Sequence, residues 1–427
     1  GPAWPESERK NWCTNLPLTE WAGVTAHPSI KGLYRLEKHG ITGNVDFSGC
    51  KSLETINIYG NINTLNVSDC PMLVEFDTDA QNILARNCDG LDILSLNVEK
   101  CASADLIGCM RLSNLSVQGI EKLIVSHCPS LTYLDISGNH ALKYLDASEC
   151  DRLYQINYIT YLPSIPLVLI GGENLEYLNV SGCTSLEDCF GGHSTDNPEI
   201  MEAEGYERIC YIETRRADAS TGQEFERTLH IPEETLLKEI NLSGVKAFEK
   251  VMVKGKQLEY LNLSNTHLWE IYETSFLDSH VRNLDISGCL ELKKAYIKGN
   301  QSTVIPLQKL NASNCSSLQY LNCQNSLLSD LSVSGCNNLL EFDVKNTMMK
   351  ENVDEFLEKN NILPTSYDCR YGYEYVRLED FKPQWYVSKA IDRGIGWWFT
   401  GEPGRGYHTE EDLPCSLDDF GGWLDEI

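Results

Sequence analysis

Cysteine offers this chain the most chemistry, since a thiolate can ligate metal, attack a carbonyl or close a disulfide. There are 17 in 427 residues. Ten of them, Cys50, Cys70, Cys88, Cys109, Cys128, Cys150, Cys183, Cys289, Cys315 and Cys336, recur at one place in a repeated phrase. A metal site needs ligands that converge on a point, whereas a ladder spreads them along a line. No C-x-x-C occurs, so neither metal nor cofactor is expected, and the ten read as buried thiols acting as small hydrophobes. Rungs about 4.8 Å apart lie within disulfide range, so spacing alone leaves pairing between neighbours open. The other seven are Cys13, Cys101, Cys189, Cys210, Cys323, Cys369 and Cys415. Cys189 with Cys210, and Cys369 with Cys415, are candidate disulfides if the chain is exported.

Catalytic signatures are missing. The sequence holds no G-x-x-x-x-G-K-[ST], no H-E-x-x-H and no G-x-S-x-G. The most suggestive group, Tyr407 to Asp412 with His408 and Glu410, reads as a solvated loop. No catalytic residue is assigned. Asp46, Asp135, Asp146, Asp285 and Asp343 form a column that could suggest calcium, yet no D-x-D-x-D loop accompanies it. That column reads as the outward, solvated strand residue. Binding has better material in the slot before each strand leucine, which holds Tyr133, Tyr144, Tyr177, Tyr260 and Tyr320. Tyrosine joins an apolar face to a hydrogen-bonding tip, which suits protein or glycan contact. Tyr133 and Tyr177 are expected on one flank two coils apart, about 10 Å, with Gln155 between them. Trp269, Tyr272 and Phe276 make a second aromatic group at near-helical spacing.

The elements that must carry these residues are repeats. The phrase Leu134-Asp-Ile-Ser-Gly-Asn139 returns as Leu145-Asp-Ala-Ser-Glu-Cys150, Leu178-Asn-Val-Ser-Gly-Cys183, Leu284-Asp-Ile-Ser-Gly-Cys289 and Leu331-Ser-Val-Ser-Gly-Cys336. The period is about 21 residues, split into halves of about 10 and 11. Within a half, Leu134 and Ile136 fall on one face of a short strand and Asp135 on the other. Ser and Gly supply the turn. A single coil cannot bury its leucines, so coils stack into a solenoid. With 43 of 53 leucines between Leu53 and Leu340, the core runs through the middle of the chain. Both halves look like strands, so sheet is expected on both flanks, over a length of roughly 55 Å.

These phrases resemble bacterial leucine-rich repeats, in particular the nested 10/11 type with Cys or Asn at the bend found in BspA-like and internalin-like surface proteins. The resemblance covers about residues 42 to 348. It implies a non-catalytic recognition or adhesion protein at the cell surface, while leaving the ligand open.

Five segments are expected: an N-terminal cap over 1–41, a first array over 42–183, an insertion over 184–238, a second array over 239–348, and a C-terminal part over 349–427. That last part reads as a short helix near 352–359 followed by a cap or small module, where enzyme activity would reside as a second alternative to recognition. Gly1-Pro2 reads as the remnant of tag cleavage, with a signal or lipoprotein segment expected upstream. The formal charge is 35 − 62 = −27, which repels phosphate backbones and excludes nucleic acid as a partner. No 18-residue apolar run exists, so no membrane-spanning helix is expected. The expected partner is a protein or a glycan, bound outside the cell.

Overall fold

The computed structural model describes residues 24–25, 35–97, 101–157, 159–162, 167–170, 172–186, 206–216, 225–300, 302–339, 341–344 and 347–349. The expected C-terminal helix and cap, and most of the N-terminal cap, fall outside these residues. The chain divides into two compact units, Gly1–Glu213 with Glu234–Ala247, and Thr214–Glu233 with Phe248–Ile427. Both are leucine-rich β-solenoids, coils of short parallel strands with little helix. Among the described residues the helical structure is one 3-10 turn, Tyr206–Arg208.

In the first unit two parallel sheets face each other. One, the Tyr144 flank, stacks Arg35–Asp46, Thr55–Asn66, Asn82–Leu84, Ser103–Asp105, Lys122–Ile124, Tyr144–Asp146, Tyr177–Asn179 and Glu239–Asn241. The other, the Tyr133 flank, stacks Ile93–Asn97, Asn114–Gln118, Tyr133–Asp135 and Gln155–Asn157. The second unit repeats the plan. Its Tyr260 flank holds Tyr260–Asn262, Asn283–Asp285, Lys309–Asn311 and Asp330–Ser332. Its Tyr320 flank holds Glu270–Ile271, Lys294–Tyr296, Tyr320–Asn322 and Glu341–Asp343. Phe225–Ile231, from the stretch expected to be an insertion, pairs in parallel with Lys250–Val253 as a further rung.

Alternation makes the core. Leu123, Leu145, Leu178, Leu134 and Ile156 are all fully buried, as the strand pattern requires. The column of outward Asp and Asn does more than meet solvent. Asp135 Oδ1 accepts the Ser137 N–H at 2.9 Å, and Asp146, Asp285, Asn179 and Asn262 do the same with the residue two places on. These are Asx turns that end each strand, which corrects the reading of a merely solvated column. The next position needs a left-handed backbone. Glycine supplies it at Gly138 (φ 74°) and Gly182 (φ 75°), whereas Glu149 (φ 57°) and His127 (φ 58°) adopt it with a side chain attached.

The bend cysteines form a hydrogen-bonded ladder. Each of nine thiols donates to a carbonyl one coil back, from Cys70 to Phe47 at 3.3 Å through Cys183 to Ala147 at 3.1 Å to Cys336 to Ala312 at 3.0 Å. All ten ladder cysteines are free thiols. Burial raises the thiol pKa to about 12 at Cys88 and Cys183.

Candidate functional site

The Tyr144 flank carries a pillar of side chains in register. The strand pairings align Ser103, Lys122, Tyr144, Tyr177 and Glu239 in one column. Tyr144 and Tyr177 stack with centroids 4.2 Å apart and planes 3° apart. The Lys122 ammonium covers the Tyr144 ring at 4.6 Å. Flanking ion pairs, Lys238–Glu176 at 2.6 Å and Lys143–Glu121 at 3.5 Å, line the slot just before the column. Burial, then the neighbouring Tyr144, raises the Tyr177 pKa, and burial raises that of Tyr144. Both hydroxyls therefore remain protonated donors across the physiological range.

Tyr133 is elsewhere. It pairs with Gln155 and Asn114 on the Tyr133 flank, so it does not share a flank with Tyr177. The reason is a hairpin. Tyr133 and Tyr177 are 177 − 133 = 44 residues apart, four half-repeats of 11, which by count alone returns to the starting flank. One of those half-repeats is taken up by Ile159–Leu162 and Leu167–Ile170, which pair antiparallel with each other and add no rung. Three flank changes remain instead of four, so Tyr177 lands against Tyr144. Tyr260 and Tyr320 likewise occupy different flanks of the second unit, Tyr260 beside Asn283 and Tyr320 between Lys294 and Glu341.

The second aromatic group is real but not helical. Trp269 and Tyr272 bracket the strand Glu270–Ile271, and Phe276 is fully buried core. Between the two exposed-side rings lies Lys250, with its ammonium 5.0 Å from the Trp269 centroid and 4.7 Å from that of Tyr272. Glu226 completes the cradle at 2.8 Å. Burial works against the Lys250 charge, but Glu226 and Tyr272 outweigh it and hold its pKa above the usual lysine value.

The second unit also holds a cleft of about 840 Å³. Lys256, Arg282, Asp278, Glu233 and Glu259 supply its charge, and Val304 and Pro306 part of its apolar wall. Lys256 is paired with Glu233, and Arg282 with Glu259 at 3.7 Å. Sequence reasoning missed this cleft. Its signal was there: the turns after Ile271 and Tyr296 run about a dozen residues before the next strand, against seven after Asn322.

Cys210 is a buried free thiol next to Thr235. Its proposed partner Cys189, and both Cys369 and Cys415, lie outside the described residues.

No protein-family model matches the chain. Over 224 residues it is 24% identical to "Disease resistance protein RPS4B" of Arabidopsis thaliana, covering 41% of this chain and 19% of that relative's length. Among solved structures it resembles a leucine-rich cell surface protein of Faecalibacterium prausnitzii (12% identity, 71% of this chain and 86% of that one, TM-score 0.25). It also resembles the functional domain of InlJ from Listeria monocytogenes (18%, 75% and 69%, TM-score 0.21). A third likeness is to YopM from Yersinia enterocolitica (18%, 76% and 76%, TM-score 0.18).

Proposed function

We propose that this chain is a non-catalytic recognition protein, exported or displayed at the cell surface, that binds a protein ligand through a flank of its solenoid. The observation that carries this reading is how the aromatic rings are used. A glycan platform needs an open ring face for a sugar to lie on. Tyr144 has Lys122 on one face and Tyr177 on the other. Trp269 and Tyr272 both turn a face to Lys250. What the Tyr144 flank offers outward is ring edges, phenolic donors and alternating charge, the mixture that protein interfaces favour.

Replacing Tyr144→Ala with Tyr177→Ala tests the reading. Proteins crosslinked to the intact chain at the surface of cells are compared between parent and variant, alongside binding to a glycan array. The expected outcome is a protein adduct that weakens at least about tenfold in the variant, by loss of central aromatic contacts. A glycan signal that depends on the same two tyrosines, with no protein adduct, would refute it.

A further inference from the structure

The Tyr133 flank of the first unit differs in character from the tyrosine pillar. Four large apolar side chains stand out at its end: Ile93 at 72% exposure and Met110 at 51% on this flank and its bend, and Met72 at 50% and Val74 at 51% just before the strand Glu75–Thr78, which pairs with the first residues of Thr55–Asn66. They occupy three successive rungs. The chain at Gly90 lies so close to the rung below that a Cβ there would sit 2.9 Å from the Met72 carbonyl carbon. Ile93 in turn pairs with Asn114 in the strand that follows Met110. Rungs are about 4.8 Å apart, so the four come from rungs that together span about 10 Å.

Carboxylates frame that area. Glu75, Asp77, Asp89 and Asp92 come from the same rungs and Glu54 from the rung before them. Asp77 accepts the Tyr59 hydroxyl and Asp92 that of Ser113, and among the described residues none of the five has an ion-pair partner. Of the nearby cations Lys51 donates to the Asp69 carbonyl and Arg86 pairs with Asp105, while Arg111, exposed beside Met110, is among the described residues the one cation these rungs set against the five carboxylates. Exposed apolar groups inside a rim of five carboxylates and one arginine cost solubility little but favour one kind of complement.

Resting on the protein-binding reading above, we infer that this patch docks a protein segment carrying an apolar side chain flanked by lysines or arginines. Charge complementarity selects that occupant. A second copy of this chain would bring the same carboxylates face to face, and an anionic lipid surface would be repelled.

Three fluorescent synthetic peptides serve as probes against the full chain: alternating Lys and Leu, alternating Lys and Ser, and alternating Glu and Leu. At physiological salt of about 0.15 M, the Lys/Leu peptide is expected to bind at least about tenfold tighter than either of the others. Ile93→Ser with Met110→Ser, and separately Glu75→Lys with Asp92→Lys, should each weaken it about fivefold or more, with circular dichroism unchanged. Glu234→Lys with Glu291→Lys makes the same charge change at residues that are not part of the patch and should alter binding less than about twofold. Equal binding of the Lys/Ser peptide, an equal loss in that charge control, or no binding of any peptide would each overturn the inference. Loss confined to the Tyr144→Ala and Tyr177→Ala variant would overturn the patch while leaving the protein-binding reading standing.

Discussion

Buried thiols should make the first unit lose stability in alkali; Cys70, Cys101 and Cys210 are raised by burial too, and Cys88 and Cys183 isolate a share of the effect. Cys88 and Cys183 are fully buried, and burial lifts each from the ordinary 9.0 to about 12. Below pH 9 both folded and unfolded thiols are neutral, and their contribution is fully present. Between pH 9 and 12 the unfolded thiols ionise while the folded ones hold their protons, so stability falls as pH rises. Each thiol removes up to about 1.4 kcal/mol per pH unit, which amounts to about 3 kcal/mol at pH 11. Together they remove about 5 to 6 kcal/mol, comparable with the whole stability of a typical domain. Urea midpoints followed by circular dichroism from pH 8 to 11, under reducing conditions, measure the slope. The variant Cys88→Ala with Cys183→Ala should lose about 1–2 kcal/mol per site at neutral pH through cavity formation, yet show a flatter decline above pH 9. The remaining buried thiols keep part of the slope, so the expected difference between parent and variant in stability lost by pH 11 is about 5 to 6 kcal/mol, and no difference would refute the reasoning.

Other perturbations follow from local geometry. Gly60→Ala would place a Cβ 2.0 Å from the Ile41 carbonyl oxygen in the neighbouring strand, and should cost more than about 3 kcal/mol by thermal unfolding. Glu149→Gly relieves a left-handed residue (φ 57°) at a position where other coils use glycine, and should raise stability by about 0.5–1 kcal/mol in urea titrations. Lys250→Ala strands the Glu226 carboxylate and empties the space between Trp269 and Tyr272. It should cost about 2–4 kcal/mol, with a change in tryptophan emission as the second readout.

The solenoid was legible because its physics is local. Leu134, Ile136 and their counterparts alternate with polar residues at fixed intervals, and no other arrangement buries them all. The bend cysteines were legible for the same reason: a slot that recurs once per coil and packs inward asks for a small apolar group. The sequence marks Asp135 and Ser137 as outward strand and turn residues, and its D-x-S spacing allows an Asx turn, but the bond between them is a property of the folded bend.

What the sequence alone determined, then, is the kind of fold and which residues face inward, because both depend on neighbours a few places apart. Which outward residues meet was decided by the tertiary structure. Flank assignment depends on counting every half-coil between two residues, and a hairpin the length of a half-repeat leaves the count intact while reversing its result. That is how Tyr177 came to rest on Tyr144 rather than near Tyr133. The apolar patch at Ile93 depends on the same thing, since Met72, Val74 and Met110 are distant in sequence and become neighbours only when their rungs stack.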